Sequence, residues 1–313
     1  MNYNKSIGEV YADTTLIGIR LYSRLTGLAY VAHVEDYDGT TDYRSWAPRW
    51  NSSEVDVELG VPEASCPWNA SGASVMNAPE FSTIHSTDAR GSRAIQLRLQ
   101  GRLYETVSHV TAAMHYDDRE ELLKTNGASD ETVISTDHEH GSVRIHPLLQ
   151  LWRTALAEST EEERFERILS IAFTLTAGRW GPESGYAEEL DDKALLDLHQ
   201  ACSQAVKRLQ QSHSVQDAKE LANDANTSLF ADTASLYCHH RRIFWTENQK
   251  FGLGPQCMRP GDIVVVLYGG NTPYILRPKG DSYLFLGQAY IHTIMHGEVL
   301  DDPSAKEQTF CLI

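Results

Sequence analysis

The last quarter of the chain, residues 240–298, constrains the fold more than any other stretch. Three short runs rich in β-branched and aromatic residues follow one another there: DIVVVLYGG (262–270), TPYILRP (272–278) and YLFLGQAYI (283–291). Glycine and proline separate these runs, as they separate the strands of a tightly turned sheet. The pattern predicts consecutive β-strands, and we expect β structure from about Arg241 to the end of the chain.

The N-terminus carries the pattern of an amphipathic helix. Ser6 and Glu9 have the spacing of a capping box, in which each side chain accepts a hydrogen bond from the other residue's backbone N–H. Val10, Ile17 and Leu21 then recur at intervals that fit one face of a helix of roughly four turns.

The middle of the chain is predicted to be helical. Apolar residues over 148–156 fit one helix face, and Thr160 with Glu163 forms a second capping box that opens another helix. A long helix is predicted around 191–211, where apolar residues recur at spacings of three and four, and 218–229 is a candidate for a further one.

The stretch from Glu35 to Ser92 is rich in Ser, Asn, Pro, Gly and Asp, and it predicts long loops. Trp46, Trp50 and Trp68 are expected to anchor these loops to the body of the protein. Alternation of apolar and polar residues over 95–101 predicts a strand.

These patterns together predict an α+β fold. A mainly helical body with long loops would span residues 1–235, and an antiparallel β-barrel-like or small-sheet unit would span 236–313. The two parts could also form one integrated domain.

Composition excludes several classes of partner. A net charge of −16 argues against binding to nucleic acid or to anionic membrane surfaces. The sequence has no apolar run of about 18–20 residues and no apolar signal-peptide core at its start, which favours a cytoplasmic location. Five scattered cysteines are typical of reduced thiols rather than of a disulfide framework.

Several sequence blocks carry a family resemblance. They are KSIGEVYAD (5–13), SWAPRW (45–50), RRIFWTENQKFGLGP (241–255), RPGDIVVVLYGGNTPYILRP (259–278) and YLFLGQAYIHTIMHGE (283–298). In composition and order these blocks resemble the region that follows the N-terminal HET domain in fungal heterokaryon-incompatibility (HET) proteins. The resemblance spans nearly the whole chain.

The sequence also departs from the family pattern. Thr293 stands where the family usually has glycine, and His240 stands where a glycine often precedes the arginine pair. The aromatic-rich start of the HET domain is not found. The resemblance therefore implies either a C-terminal fragment or a stand-alone descendant, and it carries over none of the cell-death activity associated with the HET domain.

The acidic stretch His115–Glu121 is the first candidate for chemistry. On a helix, Asp117 and Glu121 would share a face, and paired carboxylates of this kind hold Mg²⁺ for diphosphate ionisation in terpene cyclases. A solvated charged segment explains the same residues, and no second metal motif accompanies them.

Histidines supply two further candidates. His138 and His140, with His146 nearby, could bind a transition metal, although their surroundings are typical of an exposed loop. The segment 238–242, Cys-His-His-Arg-Arg, suggests a metal or nucleophile site but lacks the spacing of a metal motif. In a strand His239 and His240 would face opposite ways.

The arginine pair of this last segment has a structural interpretation as well. One of the two arginines is expected to pair with a carboxylate such as Asp262 or Glu298. The other possibility is an arginine or histidine that lines a pocket and orients an anionic or carbonyl group.

Two functions follow as hypotheses. The first is a regulatory or protein-interaction module without catalysis, favoured by the HET resemblance and by the lack of P-loop, GxSxG and HExxH motifs. The second is a cofactor-independent cyclase or isomerase of secondary metabolism that acts on a polyketide or terpenoid by acid–base catalysis. Its candidate catalytic residues are His115, Asp117, His240, Arg242 and Glu247. The partner would be a protein in the first case and a small apolar metabolite in the second, and neither requires a cofactor or a metal.

Overall fold

The chain divides into two compact units. Unit 1 comprises residues 1–110 and 244–313, and unit 2 comprises residues 111–243. This division differs from the boundary at 235/236 expected from the sequence. The computed structural model describes residues 5–22, 24–40, 43–50, 57–60, 66–72, 81–87, 93–115, 135–136, 143–144, 146–157, 159–180, 185–186, 189–210 and 225–313.

Helices and strands are numbered in chain order. They are α1 (Ile7–Tyr22), β1 (Phe81–Thr87), β2 (Arg93–Val110), β3 (Ser135–Thr136), β4 (Val143–Arg144), α2 (Pro147–Leu156), α3 (Glu161–Leu175), β5 (Arg179–Trp180), β6 (Gly185–Tyr186), α4 (Asp192–Gln210), α5 (Ala225–Cys238), β7 (Arg241–Thr246), β8 (Phe251–Pro255), β9 (Ile263–Leu267), β10 (Tyr274–Lys279), β11 (Ser282–Gln288), α6 (Glu298–Asp301) and β12 (Lys306–Leu312). The fold is α+β, as predicted, and the three apolar runs form β9, β10 and β11.

Five strands of unit 1 close into a ring. Strand β12 pairs with β11, β11 with β10, β10 with β9, β9 with β2, and β2 again with β12. Every pairing in the ring is antiparallel except β11 with β12, which is parallel at Tyr283 and Leu312, so the expectation of a purely antiparallel unit is wrong. Ring closure leaves no unpaired edge among the strands that close it.

Strand β2 is the seam of this ring. Along one edge it pairs with β1 and then β9, and along the other it pairs with β12 and then β7. Its alternating sequence predicts a strand over 95–101, and the strand found is longer. Because β2 comes from the first half of the chain, the β unit cannot be confined to residues 236–313.

A single apolar cluster receives side chains from all five ring strands and therefore fills the ring. Helix α1 contributes its buried face to the same cluster, as does the loop that carries Trp46. The main members are Ala12, Leu16, Ile19, Trp46, Leu97, Leu99, Val265, Leu267, Tyr274, Leu276, Phe285, Phe310 and Leu312.

Helix α1 has the predicted cap. The Ser6 N–H donates to Glu9 Oε2 at 2.8 Å, and the Glu9 N–H donates to Ser6 Oγ at 3.2 Å, which confirms the capping box. Val10, Ile17 and Leu21 lie on one face, as predicted, and that face is solvent-exposed: the three residues are 46%, 53% and 73% exposed. The helix instead buries the opposite face, which carries Ala12, Leu16 and Ile19.

Two of the three tryptophans anchor their loops as expected. Trp46 and Trp68 are buried, and Trp68 contacts the ring of Tyr290 at a centroid distance of 5.5 Å. Trp50 is half exposed and contacts the ring of Tyr30 at 5.5 Å, so its expected anchoring role is wrong.

Unit 2 contains the helices predicted for the middle of the chain. The capping box at α3 is confirmed: the Thr160 N–H donates to Glu163 Oε2 at 3.1 Å, and the Glu163 N–H donates to Thr160 Oγ1 at 3.4 Å. Helix α4 agrees with its prediction. Helix α5 covers the described part of the helix predicted over 218–229 and continues to Cys238, whereas residues 218–224 lie outside the described residues.

The sequence predicts reduced cysteines and no membrane-spanning segment. No disulfide joins any of the five cysteines. Cys202 is buried within α4, and burial raises the pKa of its thiol. Within the described parts of the chain, no helix has the length and apolarity needed to cross a bilayer.

Candidate functional site

Backbone hydrogen bonds in unit 2 bring two distant histidine segments together. Met114 forms a parallel bridge with His239. The Met114 N–H donates to the carbonyl oxygen of Arg241 at 2.9 Å, and the His240 N–H donates to that of Met114 at 2.9 Å. His115, which follows Met114, is therefore held beside His239 and His240.

An unusual backbone conformation at His240 determines where the two adjacent rings lie. Its φ is +54°, in the left-handed region that few residues other than glycine adopt, although histidine is among those that tolerate it. In an extended strand His239 and His240 would face opposite ways. Here their ring centroids are 3.7 Å apart, so the expected alternation is wrong at this position.

The three histidines form a cluster of ligand-type nitrogens. The ring centroid of His115 lies 6.4 Å from that of His239 and 5.9 Å from that of His240. One ring nitrogen from each residue lies within 4.8 Å of the others, and all three residues are half-buried. Such a group can exchange protons or hold a metal ion.

The arginine pair lies beside this cluster in the sequence and bonds to backbone. Arg241 Nη1 donates to the carbonyl oxygen of Tyr237 at 2.7 Å, and Arg242 Nη1 donates to that of Thr111 at 2.7 Å. These two bonds tie the start of β7 to the end of α5 and to residue 111.

The carboxylates expected to pair with these arginines have other partners. Within unit 1, Asp262 forms a buried ion pair with Arg277, whose Nε lies 2.8 Å from Asp262 Oδ1. Glu298 accepts a hydrogen bond from the His296 N–H at 2.7 Å. Asp262 therefore has a structural role within the β unit.

The other candidate residues from the sequence do not join the histidine cluster within the described residues. The Cys238 thiol is buried and donates to the Leu175 carbonyl oxygen at 3.1 Å, which is a structural contact. His146 caps α2, its Nδ1 accepting from the Leu148 N–H at 3.1 Å. Glu247 lies exposed in the turn after β7, in unit 1. Asp117, Glu121, His138 and His140 lie outside the described residues.

Unit 1 carries a second candidate site on α1, a stripe of exposed apolar side chains. Ile7, Val10, Ile17 and Leu21 are 56%, 46%, 53% and 73% exposed. With Thr14 they recur at spacings of three and four, which places them in one row along the helix. The Thr14 hydroxyl donates to the Val10 carbonyl oxygen at 2.8 Å, so this polar group is satisfied within the helix. We call these residues the α1 stripe.

Comparison with known proteins confirms the family resemblance. Residues 180–313 match the family model of the Het-6 beta-barrel domain. The heterokaryon incompatibility protein 6, OR allele, of Neurospora crassa is 44% identical over 77 residues, a match that covers 23% of this chain and 11% of that protein. No solved structure matches the chain. The chain is thus similar to the Het-6 beta-barrel domain over residues 180–313, and to the Neurospora crassa protein over a shorter stretch.

Proposed function

We propose that this chain is a regulatory protein-interaction module that binds a protein partner through the α1 stripe. The observation that carries this proposal is the row of exposed side chains formed by Ile7, Val10, Ile17 and Leu21. An isolated exposed apolar residue is common on protein surfaces, whereas a continuous row along one helix is typical of a surface that another protein covers.

The helix is suited to this role because its two faces are independent. Ala12, Leu16 and Ile19 hold α1 on the core of unit 1, so the stripe on the other side is presented on a fixed element. A partner groove would receive the stripe as it receives any amphipathic helix, with anchors at spacings of three and four. Burial of each isoleucine or leucine contributes about 1.5–3 kcal/mol before the costs of association.

The family relationship supports the same proposal. The block 5–13, which contains the start of α1, resembles the segment that follows the HET domain in heterokaryon-incompatibility proteins. A net charge of −16 favours a protein partner over nucleic acid or an anionic membrane. The proposed site of action is the cytoplasm of a fungal cell.

A pair of matched double variants tests the proposal. Ile17→Lys with Leu21→Lys places two charges on the α1 stripe. Leu196→Lys with Leu236→Lys makes the same chemical change at helical positions in unit 2 that are 45% and 42% exposed. Both variants change net charge equally, and circular dichroism would verify that both fold. Affinity capture from an extract of the native fungus, with size-exclusion chromatography of the purified chain, measures binding.

The proposal predicts that the wild type and the unit 2 variant retain the same partner, and that the α1 stripe variant loses it. If the stripe variant and the wild type capture the same proteins in the same amounts, the α1 stripe is not the binding surface. A shift from dimer to monomer that occurs only in the stripe variant would identify a second copy of this chain as the partner.

One observation favours an enzyme as the second candidate function. His115 and His240 have ring centroids 5.9 Å apart, which places two acid–base groups near one another. With Asp117, Arg242 and Glu247 they are the residues proposed for a cyclase or isomerase of secondary metabolism. Deletion of the gene followed by metabolite profiling tests this function. Loss of one metabolite with accumulation of an isomeric or uncyclised precursor supports the enzyme, and an unchanged profile contradicts it.

A further inference from the structure

We propose that His115, His239 and His240 form a binding site for a divalent transition metal ion of the Zn²⁺ class. The site lies wholly within unit 2 and is independent of the α1 stripe. It does not depend on the protein-interaction function proposed above.

The spacing of the ligand atoms suits such an ion. One nitrogen from each ring lies within 4.8 Å of the other two. In a tetrahedral zinc site with Zn–N distances of about 2.0–2.1 Å, ligand nitrogens are about 3.3 Å apart. The nitrogen–nitrogen separations therefore have to shorten by at most roughly 1.5 Å, which small rotations about the side-chain torsions can supply.

The backbone holds the ligands in place before any ion binds. The hydrogen bonds between Met114 and residues 240–241 fix the two segments against each other. The positive φ of His240 lets two consecutive residues direct their rings to one side. Strained backbone of this kind costs roughly 1 kcal/mol or more and persists where the surrounding structure imposes it, frequently at functional sites.

The ligand set selects the class of ion. Imidazole nitrogens suit Zn²⁺, Co²⁺, Ni²⁺ and Cu²⁺, whereas Ca²⁺ and Mg²⁺ require oxygen ligands. Three protein ligands leave at least one coordination position for water or another ligand. Bound metal would join the C-terminal end of α5 to residue 115, which are distant in the sequence, so the ion should stabilise unit 2.

Metal titration of the purified full-length chain, after treatment with a chelator, tests the site. Co²⁺ bound by three histidines gives visible d–d absorption, and Zn²⁺ affinity follows by competition and calorimetry. We expect one ion per chain and a rise in the midpoint of thermal unfolding with Zn²⁺. His115→Gln and His240→Asn should each weaken Zn²⁺ binding by about 100-fold or more, because loss of a direct ligand exceeds the 10–100-fold effect of a second-shell partner.

His240→Asn is the most informative substitution because asparagine also tolerates a left-handed backbone. The double variant His138→Gln with His140→Gln is the matched control, since it removes the other histidine pair that the sequence suggests as a metal site. Circular dichroism and the unfolding midpoint of each metal-free variant separate loss of ligand from loss of fold, and His239→Gln replaces any variant that fails to fold.

The proposal predicts opposite results for variants of the His115–His239–His240 cluster and for the His138–His140 control. The proposal holds if the control binds Zn²⁺ like the wild type and the cluster variants do not. It is overturned if the cluster variants bind one equivalent with wild-type affinity, if the control alone loses binding, or if the wild type binds Co²⁺ and Zn²⁺ without defined stoichiometry.

Discussion

His33 shows how a single buried residue depends on its neighbours. Its ring stacks on Tyr37 at a centroid distance of 3.8 Å, and its Nε2 lies 3.0 Å from the carbonyl oxygens of both Ser45 and Phe285. Two acceptors at Nε2 require that nitrogen to carry the proton. Burial lowers the pKa of His33 to about 4, although the two carbonyl contacts act in the opposite direction.

This shift predicts a pH-dependent stability. Between pH 6.5 and about 4, His33 is protonated in the unfolded chain and neutral in the native chain. The free energy of unfolding should therefore fall as pH falls through this range, by up to about 3 kcal/mol from this residue. Urea unfolding at several pH values, compared with His33→Gln, measures the effect. Parallel pH profiles for the two proteins would contradict it.

Arg277 and Asp262 form a second buried group at the residue scale. Arg277 Nε lies 2.8 Å from Asp262 Oδ1 and its Nη2 lies 3.0 Å from Oδ2, while its other N–H groups donate to the carbonyl oxygens of Tyr37 and Cys257 at 2.8 and 2.6 Å. Burial alone would lower the pKa of Arg277, but the hydrogen bonds and charge of Asp262 outweigh it and raise that pKa.

We expect Arg277→Met to destabilise the protein by about 3–5 kcal/mol, because Asp262 would be left as a buried charge without its ion-pair partner. Chemical unfolding measures this loss. The control is the double variant Arg277→Met with Asp262→Leu, which removes both charges and should recover a large part of the stability. If the loss in the double variant equals the sum of the losses in Arg277→Met and in Asp262→Leu, each measured alone, the two residues are not coupled.

At the scale of elements, two glycines differ in what surrounds them. Gly101 of β2 pairs with both Gln308 and Leu267, and a Cβ there would lie 2.3 Å from the Val266 carbonyl oxygen. A Cβ on Gly18 of α1 would meet nothing within 4 Å. Close approach of two strands requires the first glycine, and no such contact requires the second.

The same substitution should therefore have opposite effects at the two positions. Gly101→Ala forces β2 and β9 apart and should cost about 1–3 kcal/mol. Gly18→Ala removes backbone freedom from the unfolded chain and improves helix propensity, which should stabilise the protein by about 0.5–1 kcal/mol. Thermal unfolding should show a lower midpoint for Gly101→Ala and a higher midpoint for Gly18→Ala than for the wild type. A loss at both positions would mean that α1 does not tolerate the added methyl group.

Local elements could be predicted from the sequence where one signal dominates. The capping boxes at Ser6 and Thr160 and the strands β9 to β11 are of this kind. The orientation of α1 could not be predicted, because side chains of equal size lie on both faces: Ile17 and Leu21 are exposed, whereas Leu16 and Ile19 are buried. Periodicity alone therefore does not distinguish the buried face of this helix from the exposed one.

The histidine cluster could not be predicted for a different reason. His115 and the pair His239–His240 have no local spacing in common, and backbone pairing with Met114 brings them together. His239 was expected to face away from His240, and the positive φ that overturns this leaves no signal in the sequence beyond the tolerance of histidine for that conformation.

At the scale of the whole molecule, ring closure depends on a strand from outside the matched Het-6 region. Residues 180–313 include β9 to β12, four of the five strands of the ring, while β2 spans residues 93–110. Without β2, the facing edges of β9 and β12 would have no ring partner, and open edges of this kind pair with other chains. Prediction of the ring from the sequence would have required this long-range pairing, which local patterns do not encode.

A chain cut between Thr125 and Asn126 tests this dependence. Residues 126–313 expressed alone should aggregate, because β9 and β12 each lose their pairing with β2. Co-expression with residues 1–125 should yield a soluble complex of the two pieces, detected by co-purification and by a single unfolding transition. Co-expression with residues 1–92 is the matched control, since that piece retains α1 and β1 but lacks β2, and it should not restore solubility. If residues 126–313 alone are soluble and unfold cooperatively, the other four ring strands form a stable sheet without β2.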